Sequence, residues 1–195
     1  MNVEFHGDST QVGASIYGGV VSTTSVRVSD FVARSHPSLT VKNYGRGGST
    51  LRDALNTSIY PSGTFAQHIA QSDADVIVAN WGINDAYSVN YPTAAYVADW
   101  QAVAGICAVA CKKLIIQTPN PISVAHDALL SPLAAASAGV VCAGRIDIYT
   151  AIKRWYPQWE AHLSDGLHPN SIMYLYMGFL VAQSPAFLSA INHGT

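Results

Sequence analysis

The chain has 195 residues, of which 49% are hydrophobic and only 11% are charged, with a formal net charge of -2 at pH 7. This length fits a domain with a substantial core, and so many apolar residues with so few charges exclude a disordered chain. The 10 lysines and arginines are scattered rather than clustered, so we expect no nucleic-acid partner. No apolar run reaches the roughly 18 residues of a membrane span, so none is predicted.

Short β-branched runs alternate with longer helical stretches along the chain. The predicted strands cover residues 3–5, 39–44, 75–80, 113–117 and 145–149. The predicted helices cover residues 21–35, 51–56, 65–71, 93–111, 125–141 with an interruption near Pro132, and 170 onward. This alternation indicates a doubly wound α/β sheet, because parallel strands need helical crossovers. We see no linker or repeat, so we expect residues 1–195 to form a single catalytic domain.

Three cysteines leave two interpretations open. No CxxC pair or Cys/His spacing indicates a zinc site. The first interpretation is that Cys107, Cys111 and Cys142 are small buried apolar side chains. The second is a disulfide between Cys111 and Cys142, since each precedes a predicted parallel strand.

The amino terminus has no basic segment followed by a long apolar run, so no signal peptide is predicted. The low charge and the many Ser, Thr and Tyr residues favour a secreted or particle-borne protein over a cytoplasmic one. We therefore expect that a signal or upstream domain has been removed before Met1. A natural cytoplasmic start and a domain of a larger cell-wall or phage-tail polypeptide are the alternatives.

Four loops rich in glycine or polar residues follow the first four predicted strands. They contain residues 7–9, 43–50, 82–85 and 118–121. Because the carboxyl ends of parallel strands meet at the same edge of a sheet, ligands bind there. We therefore expect these loops to build one site.

Ser9, His168 and Asp165 are candidates for a nucleophile, its base and the acid that orients the base. A serine hydroxyl needs a neighbouring base, and the base needs a carboxylate that fixes its tautomer. Asp165 precedes His168 by three residues and can reach its ring within a local turn. Each motif alone is also typical of an ordinary helix cap or turn.

Gly48 and Asn84 are candidates for stabilising an oxyanion. A glycine lets its backbone N–H approach a substrate closely, and an asparagine side chain supplies a further donor. A glycine-rich turn and an Asx turn are the structural alternatives. The glycines of this loop do not follow the GxGxxG pattern and no lysine follows them, which argues against a phosphate loop.

Several side chains in or beside these loops are candidates for substrate contacts. Aromatic faces can stack on sugar rings, although such residues also simply pack loops. The candidates are Trp81, Asp85, Tyr44, Arg46, Tyr87 and His126.

Taken in order, four sequence blocks resemble those of the SGNH (GDSL-type) hydrolase family. The first is Gly7-Asp8-Ser9-Thr10, with threonine where the family often has leucine. The second runs from Asn43 through Gly48 to Thr50. The third, GIND at residues 82–85, matches GxND, and the last, DGLHP at residues 165–169, matches DGxHP.

The resemblance implies a flavodoxin-like three-layer α/β/α sandwich with a central five-stranded parallel sheet. It also implies an acyl-serine mechanism with Ser9 as nucleophile, His168 as base and then acid, and Asp165 orienting His168. The oxyanion hole would consist of the backbone N–H groups of Ser9 and Gly48 and the side chain of Asn84. Gly47 is the alternative to Gly48. No metal or organic cofactor is needed for this reaction.

From this resemblance we expect a serine ester hydrolase. The aromatic residues of the site loops favour a substrate that carries short acyl groups, foremost acetyl, on carbohydrate, either a small molecule or a polysaccharide. A general short-chain carboxylester or thioester hydrolase, or a lysophospholipase, is the alternative within enzymes. Outside enzymes, the alternative is a carbohydrate-binding module with a degenerate hydrolase fold.

Overall fold

The structure, a computed structural model, describes residues 1–88 and 91–192, and a parallel sheet lies at its centre. The strands are β1 (Asn2–Gly7), β2 (Ala14–Tyr17), β3 (Val20–Thr23), β4 (Thr40–Gly45), β5 (Val76–Asn80), β6 (Lys113–Gln117) and β7 (Gly144–Ile146). The helices are α1 (Ser9–Val12), α2 (Val28–Ser35), α3 (Leu51–Asn56), α4 (Phe65–Gln71), α5 (Ile83–Tyr87), α6 (Thr93–Val109), α7 (Val124–Ala136), α8 (Ile148–Trp155), α9 (Ser171–Ala182) and α10 (Pro185–Asn192).

The central sheet has five parallel strands in the order β4-β1-β5-β6-β7. Numbered by their order along the chain, these strands run 2-1-3-4-5, which is the flavodoxin-like arrangement. The strand order reverses beside β1, and Gly7 there pairs with both Gly45 of β4 and Asn80 of β5. The loops after these three strands therefore begin at the same level of the sheet, at the position where this fold binds ligands.

Helices cover both faces of the sheet, which confirms the predicted three-layer α/β/α sandwich with a central five-stranded parallel sheet. Side chains alternate between the two faces along each strand. Val76 and Val78 of β5 join one core, which contains residues of α2, α8, α9 and α10. Ile77 and Ala79 join the other core, which contains residues of α3, α4 and α6.

The helix predicted at residues 21–35 is wrong in its first part, where β3 extends to Thr23 and a bend follows. β3 pairs antiparallel with β2, and α2 begins only at Val28. Gly18 and Gly19 join the two strands with φ angles of 57° and 79°. A two-residue hairpin turn of this kind requires positive φ at both positions, so the Gly-Gly dipeptide between β-branched residues is the sequence signal for this hairpin.

Two predicted boundaries near the carboxyl end are also wrong. β7 ends at Ile146 rather than at residue 149, because the Asp147 carboxylate accepts the Thr150 backbone N–H and caps α8. α7 continues through Pro132 as far as Ala136. A proline inside a helix removes one backbone hydrogen bond but does not always end the helix.

The single helix predicted from residue 170 onward is two helices, α9 and α10. Within residues 1–88 and 91–192, no individual helix has both the length and the apolar character needed to cross a membrane. α9 and α10 meet that criterion only as a pair, bent by 53°.

The three cysteines are free thiols, which contradicts the disulfide interpretation. Cys107 is buried in the core beside α4, as the first interpretation expects. The first interpretation is wrong for the other two: Cys111 is exposed, and Cys142 is only half-buried, with its thiol donating to the Gly144 carbonyl at 3.1 Å.

Candidate active site

Ser9 is the first residue of α1 and lies directly beyond the carboxyl end of β1. A Cβ atom at Gly7 would lie 2.1 Å from the Asn80 carbonyl oxygen, so the close approach of β1 and β5 requires glycine here. Asp8 caps α1, and its Oδ1 accepts the backbone N–H and the hydroxyl of Thr10, each at 2.8 Å. Thr10 therefore stabilises the turn that holds Ser9 at the edge of the sheet.

Ser9, His168 and Asp165 form a continuous chain of hydrogen bonds. The distance from Ser9 Oγ to His168 Nε2 is 2.8 Å, and the distance from His168 Nδ1 to Asp165 Oδ2 is also 2.8 Å. Since an ionised carboxylate only accepts, Nδ1 carries the ring hydrogen and Nε2 is free to accept the serine proton. This is the arrangement that a serine nucleophile needs.

The surroundings of Asp165 keep it ionised. Burial alone would raise the pKa of this carboxyl group, but hydrogen bonds from the His168 backbone and ring and from the Leu167 backbone outweigh burial and lower the pKa. Bonds to the charged form stabilise it. The carboxylate that faces His168 is therefore negative throughout the neutral pH range.

The loop between β6 and α7 holds the loop that carries Asp165 and His168. The Asn120 side chain donates to the Leu167 carbonyl at 3.1 Å, and the Ser123 backbone N–H donates to the Gly166 carbonyl at 2.7 Å. Gly166 has a φ of 84°, a conformation that favours glycine. These contacts fix the Asp165 turn against the rest of the sheet edge.

The β2–β3 hairpin supports the same loop from another side. The Ser15 hydroxyl donates to the Pro169 carbonyl at 2.7 Å, and the Ile16 backbone N–H donates to Ser164 Oγ at 2.9 Å. The Ser164 hydroxyl in turn donates to the His168 carbonyl at 3.0 Å. The hairpin, which the sequence prediction lacks, is therefore part of the frame around His168.

Gly48 and Asn84 both lie next to Ser49. Gly48 precedes Ser49 in the chain, and the Asn84 side chain hydrogen-bonds to the Ser49 carbonyl. The Asn84 side chain donates one amide hydrogen to the Ser49 carbonyl at 3.0 Å, which leaves its second N–H for another acceptor. Gly48 is exposed with a φ of 75°, and its backbone N–H has no hydrogen-bond partner among the residues described. The Arg46 backbone N–H donates to the Gly7 carbonyl at 2.8 Å, which brings this loop beside the Ser9 turn.

Trp81 is completely buried, so its indole has no face open to a substrate. Its ring packs between Phe65 and Trp100, with centroid distances of 6.2 Å and 5.9 Å. Its Nε1–H donates to Ser49 Oγ at 3.2 Å. This burial contradicts the prediction that Trp81 stacks on a sugar ring. Its indole instead hydrogen-bonds to Ser49 and so stabilises the loop that contains Gly48.

Asp85 is also buried and is not placed to contact a substrate. Its Oδ1 accepts the Leu51 backbone N–H at 2.9 Å at the start of α3. Burial raises the pKa of this carboxyl group to about 7. Asp85 therefore anchors a helix, and the prediction of a substrate contact is contradicted here as well.

Tyr44 packs away from Ser9, against a pair of histidines. Its ring is stacked on the His6 ring at 5.5 Å and lies edge-on to the His68 ring at 4.4 Å. Arg46, by contrast, is exposed in the Gly48 loop. Of these two predicted substrate contacts, only Arg46 lies beside the candidate oxyanion donors.

Tyr87 and His126 form an exposed pair near the Asp165 loop. Their ring centroids are 5.2 Å apart, Tyr87 is 40% exposed, and His126 is exposed. Burial raises the pKa of Tyr87, and the negative charge of nearby Asp165 raises it further. Both side chains are therefore open to a ligand, and Tyr87 lies near Asp165.

Ser49 and Asn120 organise the site, although the sequence alone does not single them out. The Ser49 hydroxyl donates to the Arg46 carbonyl at 2.8 Å and accepts the Trp81 indole N–H. Asn120 is fully buried and ties the β6 loop to the Leu167 carbonyl. An asparagine directly before a proline, shortly after an apolar strand, is the sequence signal that could have indicated Asn120. Ser49 follows two glycines, and this pattern carries no such signal.

Comparison with solved structures finds this fold in known hydrolases. A lipase/acylhydrolase from Enterococcus faecalis is 20% identical, with 93% of each chain covered and a TM-score of 0.68. A protein from Desulfitobacterium hafniense assigned to the G-D-S-L family of lipolytic proteins is 17% identical, with 93% of this chain and 98% of that chain covered and a TM-score of 0.69. A catalytic mutant of an acetylxylan esterase from Geobacillus stearothermophilus is 19% identical, with 97% of this chain and 93% of that chain covered and a TM-score of 0.64.

No protein-family model and no curated protein sequence matches the chain. The structural similarity extends over almost the whole length of each chain compared, so the chain has the fold of SGNH hydrolases. At these sequence identities the similarity concerns the fold, and function must be argued from the site.

Proposed function

We propose that this chain is a serine ester hydrolase of the SGNH type, formed as one catalytic domain, that removes short acyl groups, foremost acetyl, from carbohydrate. The observation that carries the proposal is the pair of 2.8 Å contacts linking Ser9, His168 and Asp165. A hydroxyl, an imidazole and an ionised carboxylate in this order can generate a serine nucleophile at neutral pH.

In the first half of the reaction, Ser9 Oγ attacks the ester carbonyl while His168 Nε2 takes the serine proton. Asp165 stabilises the imidazolium that forms. Negative charge develops on the former carbonyl oxygen, where the backbone N–H groups of Ser9 and Gly48 and the second amide hydrogen of Asn84 would donate to it. The ester C–O bond then breaks, and His168 returns its proton to the leaving alcohol oxygen.

In the second half, water attacks the acyl-serine carbonyl and His168 takes the proton of that water. The same donors stabilise the second oxyanion. Collapse of this intermediate releases the carboxylic acid and returns the proton to Ser9 Oγ. The residues present supply every proton transfer, so this reaction needs no added cofactor.

A carbohydrate ester is the substrate class we favour. The rims of the site offer the exposed Tyr87 ring, His126 and Arg46, which suit hydroxyl-rich or acidic sugars. An acetylxylan esterase is among the structures of similar fold. A general short-chain ester hydrolase is the second candidate, because a lipase/acylhydrolase is also among them.

The test compares hydrolysis of p-nitrophenyl acetate with that of longer acyl esters, followed by acetate release from acetylated polysaccharides. We expect the highest kcat/KM for acetyl and measurable release from the polysaccharide. A rate that rises with acyl length would favour the general ester or lipid substrate instead.

The Ser9→Ala variant checks the chemistry itself. We expect it to lose about 10⁴-fold or more of kcat, because a missing nucleophile removes most of the acceleration of a triad enzyme. Ser22→Ala, at an exposed hairpin serine that makes no hydrogen bond to Ser9, His168 or Asp165, is the matched control and should keep full activity. Equal turnover by Ser9→Ala and the wild type would contradict the proposal, and glycan binding without any serine-dependent turnover would favour a binding module.

A further inference from the structure

A second cluster of polar side chains lies within the core and takes no part in the chemistry above. Glu4 and His6 are two residues apart on β1 and point to the same face of the sheet, and His68 of α4 packs over them. Their exposed fractions are 1%, 0% and 7%. Among the residues described, no other three His, Cys, Asp or Glu side chains bring their ligand atoms within 4.8 Å of one another.

The geometry points to a divalent transition-metal site of the zinc type with Glu4, His6 and His68 as ligands, and we propose this site as a second centre, separate from the candidate active site. His6 Nε2 lies 3.2 Å and His68 Nε2 lies 3.1 Å from the same Glu4 oxygen, Oε2. Zinc bonds of about 2.0–2.1 Å in a tetrahedron place neighbouring ligand atoms about 3.3 Å apart. The observed distances are close to that value.

The donor set is that of a site with an open position. Two imidazoles and one carboxylate are ligands that zinc and its neighbours in the first transition series accept, and three protein ligands leave a fourth position. A cavity of about 450 Å³ adjoins the cluster and is lined by Glu4 and His68 together with Tyr44 and Ser62. Lys42 also lines this cavity, but it is paired with Asp73 at 2.6 Å.

Neighbouring groups hold the ligands in this orientation. Ser62 Oγ lies 3.1 Å from His68 Nδ1, and the Ser72 hydroxyl donates to Glu4 Oε1 at 2.8 Å. Such outer contacts fix which nitrogen and which oxygen face a metal. Tyr60 stacks on the His68 ring at 5.0 Å, and Tyr44 stacks on the His6 ring at 5.5 Å. Both imidazole planes are thus held by aromatic contacts.

The partners of the buried Glu4 carboxylate are His6, His68 and the Ser72 hydroxyl, and no lysine or arginine among the described residues pairs with it. Burying an imidazole and a carboxylate costs free energy unless they are paired. A cation bound by all three residues would offset the cost of burying the carboxylate.

Glu4 and His6 are neighbours on β1, but His68 lies far from both in the sequence, which is why motif spacing does not reveal the site. Glu4 and His68 are separated by 64 residues. A bound metal would therefore tie β1 to α4, on the face of the sheet that carries the second core.

The test uses the untagged full chain, dialysed against a chelator and then given ZnCl₂ or CoCl₂. We expect about one metal per chain to remain after gel filtration by elemental analysis, the intense visible absorption of four-coordinate Co²⁺, and a Tm that rises with Zn²⁺ concentration. None of these readouts depends on ester hydrolysis.

Substitutions identify the ligands. Glu4→Gln and His68→Gln should each weaken metal binding by at least about 10²-fold, while His36→Gln, on the other side of the sheet, should keep it. His168→Gln should also keep it, since His168 belongs to the candidate active site. Circular dichroism and urea unfolding show whether each variant is folded. If Glu4→Gln does not fold, metal binding by the His68→Gln variant decides whether the proposal holds. Absence of stoichiometric uptake by the wild type, or uptake that survives His68→Gln, would overturn the proposal.

Discussion

At the residue scale, the hydrogen bonds around His168 determine what Ser9 can do. Asp165 uses Oδ2 for the ring and Oδ1 for the backbone N–H groups of Leu167 and His168. One carboxylate therefore both orients the imidazole and shapes the turn that carries it. This dual use explains why the two residues are only three apart in the sequence.

The Asp165→Asn variant should lower kcat by about 10⁴-fold with little change in KM, because a neutral amide permits the wrong imidazole tautomer. The folded-state pKa of Asp165 is lowered, so its contribution to stability is present above its unfolded pKa and is lost only as the pH falls through the lower folded value. Because the carboxylate of Asp165 is ionised at both pH 6 and pH 8, the activity loss should be present at both values. Steady-state kinetics at both values measure it, with Asp30→Asn on α2 as control, and a loss confined to one pH would contradict this role.

The Asn84→Ala variant should reduce kcat by about 10²–10³-fold, the usual effect of removing one oxyanion donor. The control is Ser88→Ala, which removes only the bond from the Ser88 hydroxyl to the Asn84 carbonyl. If the rate of Asn84→Ala equals that of the wild type, Asn84 serves only to hold Ser49.

The accuracy of a single-residue prediction depends on whether the residue belongs to a spaced motif or is selected only because it lies beside one. Ser9, Asp165, His168 and Asn84 stand in motifs with fixed spacing, and the structure brings them to one edge of the sheet. The prediction for Trp81 rests on its position beside a site loop alone. Alternation along β5 places Ile77, Ala79 and Trp81 on the same face, so the period of two already indicates a buried indole.

At the element scale, the β2–β3 hairpin does more than connect α1 to α2. Its inner strand contacts the loop that carries Asp165 and His168 through Ser15 and Ile16, and the Ala14 carbonyl accepts the Tyr174 hydroxyl of α9 at 2.8 Å. On the outer strand, Val20 and Val21 are 68% and 67% exposed. β2 is therefore attached to the loop that carries His168, whereas β3 faces solvent. We call the hairpin a brace because it holds that loop in place.

The Ser164→Ala variant tests this brace. It removes the acceptor of the Ile16 N–H and the donor to the His168 carbonyl, each worth about 1 kcal/mol. We expect kcat to fall roughly tenfold at unchanged KM, and hydrogen exchange in residues 163–169 to speed up. Ser22→Ala, inside the hairpin, should leave both unchanged, and equal exchange in the Ser164→Ala variant and the wild type would argue against a brace.

Elements buried on both faces are the ones that the sequence predicts best. β5 and β6 are continuous apolar runs bounded by polar residues, and the predicted limits match within one residue. The hairpin and α8 depend on turn geometry and on a single capping carboxylate. Propensity averaged over a window does not resolve such local events.

At the scale of the whole molecule, a buried carboxyl group links stability to pH. The folded-state pKa of Asp85 is raised by burial to about 7 from an ordinary 3.8. Between these values the folded chain retains a proton that the unfolded chain loses, so this residue makes the protein less stable as the pH rises through that window, with the full penalty above about 7.

The Asp85→Asn variant should remove this penalty while keeping an oxygen for the Leu51 N–H. Its free energy of unfolding relative to wild type should therefore be higher at pH 8 than at pH 5. Urea unfolding at the two pH values measures the difference, and Glu160→Gln is the exposed control. An equal difference at both pH values would show that Asp85 is not protonated in the folded state.

The long sequence separation between Ser9 and His168 determines when activity can arise during synthesis. Ser9 and His168 are partners in one hydrogen bond although 159 residues separate them. A nascent chain can form the nucleophile turn early, but it remains inert until the segment that carries His168 has left the ribosome and folded back onto the first strand. Bringing Ser9 and His168 together closes a long loop, and the entropy that this costs must be offset by contacts formed when the rest of the chain folds. The hydrolase we propose would therefore be silent as a translation intermediate, and premature termination before residue 168 would release fragments without esterase activity.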